Sequence, residues 1–229
     1  MNVNNEKNKS AGGMKSSNLA QAWLVLVLAV GFGVSLAGVQ LVLGPVIESN
    51  KLNETLEKVP ELVLGNLLAA KMAGENQTLE IVPRQVTVEK QGRSKFYSVY
   101  EARYQGDLKG WVVKTKGQGY ADTIELLLGL SPDLHTITGL FVLDQKETPG
   151  LGNKIITDAW RSQFVDAPAD RSLVVIKTGA SRPGEIDAVT GATISSKSVT
   201  AMINMTVGDL RKPLTAGPSS VGKGGKNNG

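Results

Sequence analysis

The feature that most constrains this chain is a long uncharged segment near its N-terminus. Residues 16–47 contain no charged side chain, and residues 24–43 alone can cross a hydrocarbon core, which needs about 20 apolar residues. A cleaved signal peptide is the alternative, because Ser35-Leu36-Ala37 is an acceptable cleavage site. The apolar run continues well beyond that point. We therefore predict a retained transmembrane helix over residues 20–47.

The charges on either side of the apolar run indicate its orientation. Lys7, Lys9 and Lys15 precede it, whereas acidic side chains outnumber basic ones over residues 48–61. Positively charged flanks stay on the cytoplasmic side of a membrane. We therefore predict that residues 1–19 lie in the cytoplasm and that the rest of the protein lies beyond the inner membrane, in the periplasm.

Strand patterns fill the middle of the chain, and helix patterns flank them. Segments rich in β-branched and aromatic residues predict strands, and apolar residues at helical spacing predict helices. This grouping favours an α+β domain with a central, mainly antiparallel sheet over an alternating parallel one. The predicted strands are 85–90, 95–104, 110–116, 123–130, 136–143 and 172–177, and the predicted helices are 53–72, 155–164 and 199–210.

Particular residues mark the expected boundaries of these elements. Pro60 is expected near the start or at a kink of the first helix after the membrane, and Asn153 is expected to cap the helix over 155–164. Pro, Gly, Ser and Lys dominate from Pro213 onward. We therefore predict a folded domain over residues 48–212 and a disordered tail over 213–229.

Composition excludes several kinds of chemistry. The chain has no cysteine, which rules out disulfides, iron–sulfur ligation by thiolates and a cysteine nucleophile. Its single histidine cannot form a histidine cluster for a metal. The net charge of +4 comes from basic residues spread along the chain without accompanying aromatic residues, so we do not expect nucleic acid as a partner. If the protein transfers electrons, an organic cofactor must carry them.

One loop-to-helix junction is the main candidate for a binding site. It reads Asp187-Ala188-Val189-Thr190-Gly191-Ala192-Thr193-Ile194-Ser195-Ser196, and we expect Ser195 and Ser196 to cap the helix that follows. The free N–H groups and the positive end of a helix dipole stabilise a phosphate at such a start, and Gly191 allows the backbone to approach it. The same residue types also form ordinary junctions.

Two glycine-containing loops are candidates for the same site. The first reads Glu147-Thr148-Pro149-Gly150-Leu151-Gly152. Its proline and glycines predict a shaped loop that can bring backbone N–H groups against a planar ligand, and a plain tight turn is the alternative. In the second, Gly119 precedes Tyr120, whose ring can stack on such a ligand or simply follow a hairpin turn. Neither loop completes a dinucleotide-binding or P-loop motif.

The junction contains the pattern Asp-x-x-Thr-Gly-Ala-Thr, which resembles the flavinylation motif of the FMN-binding domain family. Its defined positions are Asp187, Thr190, Gly191, Ala192 and Thr193. In that family the last threonine carries FMN through a phosphoester bond, which implies Thr193 here. Thr190 stands where the family often has serine, and the hydroxyl is kept. The loop from Glu147 to Gly152 resembles the family's other signature. With the membrane segment, the chain resembles the G subunits of Rnf-type electron-transport complexes.

The resemblance implies a membrane-anchored flavoprotein that is not catalytic alone. It implies covalent FMN, attachment by a separate flavin transferase, contact with membrane lipid, and electron relay between iron–sulfur and flavin subunits of an ion-translocating oxidoreductase. The C subunits of sodium-translocating NADH:quinone reductases share the motif and topology and are the alternative within the redox class. A non-redox, membrane-anchored interaction domain, whose Thr-Gly-Ala-Thr only begins a helix, is the alternative outside it.

Overall fold

The computed structural model describes residues 13–90 and 92–216, so most of the predicted N-terminal segment and tail lies outside the described residues. The chain divides after Leu52 into two compact units. Helix α1 (Gly13–Leu64) contains the apolar run, and within the described residues it is the one helix long and apolar enough to cross a membrane. Its residues from Leu19 to Leu43 are all exposed.

The prediction of a separate helix over residues 53–72 is wrong in its boundaries. Helix α1 continues through Pro60 to Leu64, and helix α2 (Asn66–Gly74) follows after Gly65. The break falls at Gly65 because this residue has a φ of 78°, a left-handed conformation that glycine adopts without steric cost. Burial of Val59 and Leu62 holds the helix together across Pro60.

The predicted antiparallel sheet is confirmed, and its five strands pair in chain order. A further pair of short parallel strands, β6 and β7, precedes the last helix, and the sequence patterns predicted only the first of them. The strands are β1 (Glu80–Lys90), β2 (Arg93–Tyr104), β3 (Asp107–Gln118), β4 (Thr123–Leu130), β5 (Ile137–Asp144), β6 (Val174–Ile176) and β7 (Glu185–Asp187).

The region predicted as one helix over 155–164 is instead three short pieces. A 3₁₀ turn over Gly152–Ile156 leads into helix α3 (Asp158–Arg161) and a second 3₁₀ turn over Ser162–Phe164. Asn153 lies inside the first turn and does not cap a helix, because Thr157, whose backbone is extended, interrupts the helical path.

The last helix, α4 (Thr193–Thr215), extends through Pro213, which the sequence patterns placed at the start of the tail. Successive side chains of a strand point to opposite faces of the sheet, so the strands contribute residues to two apolar clusters, one on each face. Helix α4 covers one face through Val199, Ile203 and Val207, which belong to the same apolar cluster as Leu126 and Leu128 of β4. On the other face, Leu127 belongs to the cluster that contains the C-terminal residues of α1.

Three glycines on neighbouring strands receive the end of α1. We call residues 53–64 of α1 the stem. A Cβ on Gly129 would lie 2.4 Å from the Leu62 carbonyl oxygen, and Cβ atoms on Gly110 and Gly139 would lie 2.8 and 2.9 Å from Val63 and Leu62 side-chain atoms. Thr138 Oγ1 donates a hydrogen bond of 2.6 Å to the Leu62 carbonyl. The sheet therefore has a groove that fits the backbone of the stem.

A polar network around the buried Asp209 carboxylate holds the far end of α4. Tyr97 and Lys90 of the β1–β2 hairpin donate hydrogen bonds of 2.7 and 2.9 Å to the Asp209 carboxylate. Burial acts to raise the pKa of Asp209, but these hydrogen bonds, together with the positive charges of Lys90 and Lys95, outweigh it and hold that pKa below its ordinary value. Burial, with the hydrogen bond to Asp209, raises the pKa of Tyr97. The hairpin thus fixes α4 on the sheet.

Candidate functional site

The start of α4 is shaped by a tight turn after β7. Gly191 has a φ of 81°, and the Ala192 N–H donates to the Val189 carbonyl at 2.9 Å. The helix begins at Thr193, so the prediction that Ser195 and Ser196 cap it is wrong: both lie inside its first turn, and the capping position belongs to Ala192, whose side chain makes no hydrogen bond.

The two buried serines secure the turn instead. Ser196 Oγ donates to the Ala192 carbonyl and accepts from the Val189 N–H, both at 3.0 Å. The hydrogen-bond ladder of the helix starts with the Ser196 N–H, which donates to the Ala192 carbonyl at 3.0 Å. The amides before Ser196 therefore precede this ladder, and they present the positive end of the helix dipole at this point.

A cleft of about 430 Å³ lies directly over this helix start. A volume of this size falls within the usual range for small-molecule sites, roughly 300–1,000 Å³. The cleft brings together all three stretches that the sequence singled out. Its lining residues are Tyr120, Thr148, Leu151, Gly152, Gly191, Ala192, Thr193, Ile194 and Ser195.

Glu147 lies behind the cleft and does not line it. Its side chain is buried and accepts hydrogen bonds from Ser195 Oγ and, at 3.0 Å, from the Ala121 N–H. Gly119 also lies against this carboxylate, because a Cβ on Gly119 would be 2.3 Å from Glu147 Oε1. These two predicted site residues therefore contribute to the site from beneath its surface.

Three other predicted residues lie outside the lining of the cleft. Asp187 Oδ1 accepts a hydrogen bond of 2.9 Å from the Ala180 N–H, so the acidic residue of the motif stabilises a neighbouring loop. Thr190 is exposed on the turn before Gly191. Gly150 is exposed at the tip of its loop with a φ of 76°, the backbone freedom that the sequence predicted for it.

The sequence patterns missed part of the cleft's apolar rim. Ile194 is 56% exposed beside Tyr120 at 63% and Leu151 at 45%, so three large apolar groups surround the opening. Ile194 does not belong to the buried stripe of α4, and an apolar residue off that stripe is the signal that could have identified it. Such a rim suits a flat, largely apolar ligand whose anionic end reaches the helix start.

Two further residues hold the motif in place and carry no sequence signal of that role. Gln163 Oε1 accepts from the Asp187 N–H, and Trp160 Nε1 donates to the Asp187 carbonyl, both at 2.8 Å. Both belong to the region of short helical turns before β6. Among the described residues, no group of three or more histidine, cysteine or acidic side chains is placed to hold a metal ion.

Comparison with known protein families finds one that resembles part of this chain. Residues 119–208 match the family model described as the FMN-binding domain, which confirms the resemblance inferred from the two motifs. This matched segment contains every predicted site residue and all residues that line the cleft.

Matches to individual relatives indicate a more particular kind of subunit than the family model does. The chain is 42% identical over 112 residues to the G subunit of the Na⁺-translocating ferredoxin:NAD⁺ oxidoreductase complex of Acetobacterium woodii, a match that covers 48% of this chain and 53% of the relative. It is 45% identical over 103 residues to the G subunit of the ion-translocating oxidoreductase complex of Methanosarcina acetivorans, covering 44% and 52%. The chain thus spans about half the length of the curated relatives it matches.

Relatives of the alternative type are more distant. The C subunit of the Na⁺-translocating NADH-quinone reductase of Pseudomonas aeruginosa is 29% identical over 126 residues, covering 51% of this chain and 48% of the relative. The crystal structure of Shewanella oneidensis NqrC superposes with a TM-score of 0.57 at 18% identity, covering 73% of this chain and 99% of that one. At this identity the superposition establishes the fold, and the sequence identities favour the G subunits.

Proposed function

We propose that this protein is the membrane-anchored flavoprotein subunit of an Rnf-type ion-translocating oxidoreductase, and that it relays electrons between other subunits of the complex. One observation carries the proposal: two separate motifs of the FMN-binding domain meet at one cleft, with Thr193 at the helix start on its wall. A non-redox domain would have no reason to bring both motifs to one cavity.

The residues of the cleft suit FMN in both halves of that molecule. The exposed side chains of Tyr120, Leu151 and Ile194 provide apolar surface for the flavin ring. The helix start provides N–H groups and a positive dipole end for the phosphate. Bound FMN supplies the electron transfer itself, and the protein holds it, limits its contact with water and tunes its potential through hydrogen bonds and burial.

Covalent attachment at Thr193 is part of the proposal. Thr193 Oγ1 bonds to the phosphorus on the FMN side of FAD, the pyrophosphate bond breaks, AMP leaves, and the hydroxyl proton passes to a base on a separate flavin transferase. Because the bond forms at the phosphate, the ring keeps its own chemistry. A tether of this kind prevents loss of the cofactor on the far side of the membrane.

The most direct test is to express the full chain together with a flavin transferase and to examine the denatured protein under ultraviolet light. We expect a fluorescent band at the mass of the full chain, because only a covalent flavin survives denaturation. Expression without the transferase is the matched control and should give a dark band. A dark band in both samples, with the protein present, would contradict the covalent attachment of the flavin.

The orientation in the membrane is a second testable part of the proposal. Alkaline phosphatase fused to the C-terminus should be active, because the lysines before the apolar run hold the N-terminus in the cytoplasm. Replacing Lys7, Lys9 and Lys15 by glutamine should weaken this preference and lower the phosphatase activity per molecule. An inactive phosphatase on the unaltered chain, together with a bright cytoplasmic fluorescent protein at the same position, would reverse the topology.

Assembly with the other subunits is assigned to the membrane helix as well as to the outer domain. Gly31 and Ser35 lie one helical turn apart, and the Ser35 hydroxyl donates a hydrogen bond of 2.8 Å to the Gly31 carbonyl. Among the described residues, no atom outside the helix lies within 4 Å of a Cβ built on Gly31. Such small residues allow another membrane helix to approach closely. This part of the helix is the proposed contact with partner subunits.

A further inference from the structure

We infer that Glu147 is a positioning residue that sets the width of the flavin cleft from behind, without touching the cofactor; this inference rests on the function proposed above. Glu147 is only 4% exposed and is not among the residues that line the cleft. The motif alone placed Glu147 among the residues expected to bind the cofactor. Its environment in the structure assigns it a different role.

The carboxylate of Glu147 joins the three segments that form the cleft. Oε2 accepts from the hydroxyl of Ser195 on α4, and Oε1 accepts a hydrogen bond of 3.0 Å from the Ala121 N–H, next to Tyr120. Glu147 itself begins the loop that contributes Thr148, Leu151 and Gly152. One side chain therefore ties the Tyr120 turn and this loop to the start of the helix.

Two glycines of the site are explained by their distance from this side chain. A Cβ on Gly119 would lie 2.3 Å from Glu147 Oε1, and one on Gly152 would lie 2.8 Å from both Cβ and Oε2 of Glu147. Neither glycine has a positive φ, so a special backbone conformation is not the reason for glycine at either position. Both are needed because the loops close tightly on the carboxylate.

Loss of this carboxylate should widen the cleft. Without it, the Ser195 hydroxyl, which is buried, and the N–H of the exposed residue Ala121 both lose this partner, and the turn that carries Tyr120 is free to move away from α4. Glutamine in the same place can accept from the Ala121 N–H through its oxygen and donate to Ser195 Oγ through its amide. Replacing Glu147 by alanine removes both the hydrogen bonds and the charge, whereas glutamine removes only the charge. The two substitutions therefore separate the effect of the hydrogen bonds from the effect of the charge.

The experiment compares Glu147→Ala, Glu147→Gln and the control Asp122→Asn, which changes a partly exposed carboxylate near the same turn. In the full chain without flavin, we expect the Ala121 amide of Glu147→Ala to exchange with solvent at least about tenfold faster, since one hydrogen bond is worth roughly a factor of ten. In the flavinylated chain, iodide should quench the native fluorescence of Glu147→Ala more strongly, while the denatured band stays fluorescent.

Glu147→Gln and Asp122→Asn should match the unaltered protein in both measurements. Unchanged exchange and quenching in Glu147→Ala would overturn the inference, and so would a Glu147→Gln variant as exposed as Glu147→Ala. If Glu147→Ala does not accumulate, Ser195→Ala removes one of the two bonds and should give a smaller change in the same direction. A dark denatured band for the unaltered chain would instead contradict the covalent attachment proposed above, and amide exchange would still test Glu147.

Discussion

Replacing Thr193 by valine is expected to remove all covalent flavin from the denatured protein while leaving the fold intact. Valine keeps the branched shape of threonine and lacks only the hydroxyl, so the cleft wall and the start of α4 should be unchanged. The proposed phosphoester needs that oxygen. The measurement is fluorescence of the denatured band together with the mass of the intact chain.

The other threonine of the motif provides a matched control for this experiment. Thr190 is exposed and does not line the cleft, so Thr190→Val should keep its fluorescent band. A fluorescent Thr193→Val protein beside a dark Thr190→Val protein would move the attachment site to Thr190. Fluorescence in both single variants, and its loss only in the double variant, would show that the transferase accepts either hydroxyl.

The parts of the molecule that the sequence could predict are those that local patterns determine. The five main strands follow from alternation and β-branched residues, and the helix after Thr193 follows from its apolar spacing. The motif around Gly191 also depends on neighbours in the chain, because a positive φ and a helix start are local properties. These features are recognisable before any tertiary contact is known.

The parts that could not be predicted depend on contacts between distant segments. Ser195 resembles a helix cap in the sequence, and only the approach of Glu147 gives its hydroxyl a different partner. The end of α1 depends in the same way on tertiary packing: Pro60 suggested a boundary, but the apolar surface of the sheet stabilises the helix as far as Leu64. Burial against a partner segment outweighed local preference in both cases.

Alanine in place of Gly129 is expected to destabilise the protein more than any other single methyl group added to the sheet. Its Cβ would lie 2.4 Å from the Leu62 carbonyl oxygen and 2.6 Å from Thr138 Oγ1, so the stem and its hydrogen bond must shift. Overpacking of this kind costs about 3 kcal/mol, which lowers the melting temperature of a domain of this size by about 10 °C. Thermal unfolding of the full chain in detergent measures the change.

Gly208 is the matched control, because it lies exposed in α4 and, within the part of the chain that the structure describes, no atom outside the helix lies within 4 Å of a built Cβ. Gly208→Ala should stabilise the helix by about 1 kcal/mol, since alanine has the higher helix propensity. A Gly129→Ala protein that melts as high as the unaltered chain would show that the stem does not need its groove.

A double-mutant cycle identifies the atoms responsible. The Cβ of Gly139→Ala would meet mainly the Leu62 side chain, with Cδ2 at 2.9 Å, whereas that of Gly129→Ala would meet the Leu62 backbone. Leu62→Ala alone should lower the free energy of unfolding by about 2–5 kcal/mol, because the side chain is buried.

The two double variants should differ in coupling. When Leu62→Ala is combined with Gly139→Ala, the loss of free energy should be about 1 kcal/mol smaller than the sum of the two single losses, since the clash is removed with the leucine. Combined with Gly129→Ala, the costs should add within about 0.5 kcal/mol, because the carbonyl oxygen remains. Equal coupling in both pairs would mean that the stem moves as a whole and that the groove does not fix its position.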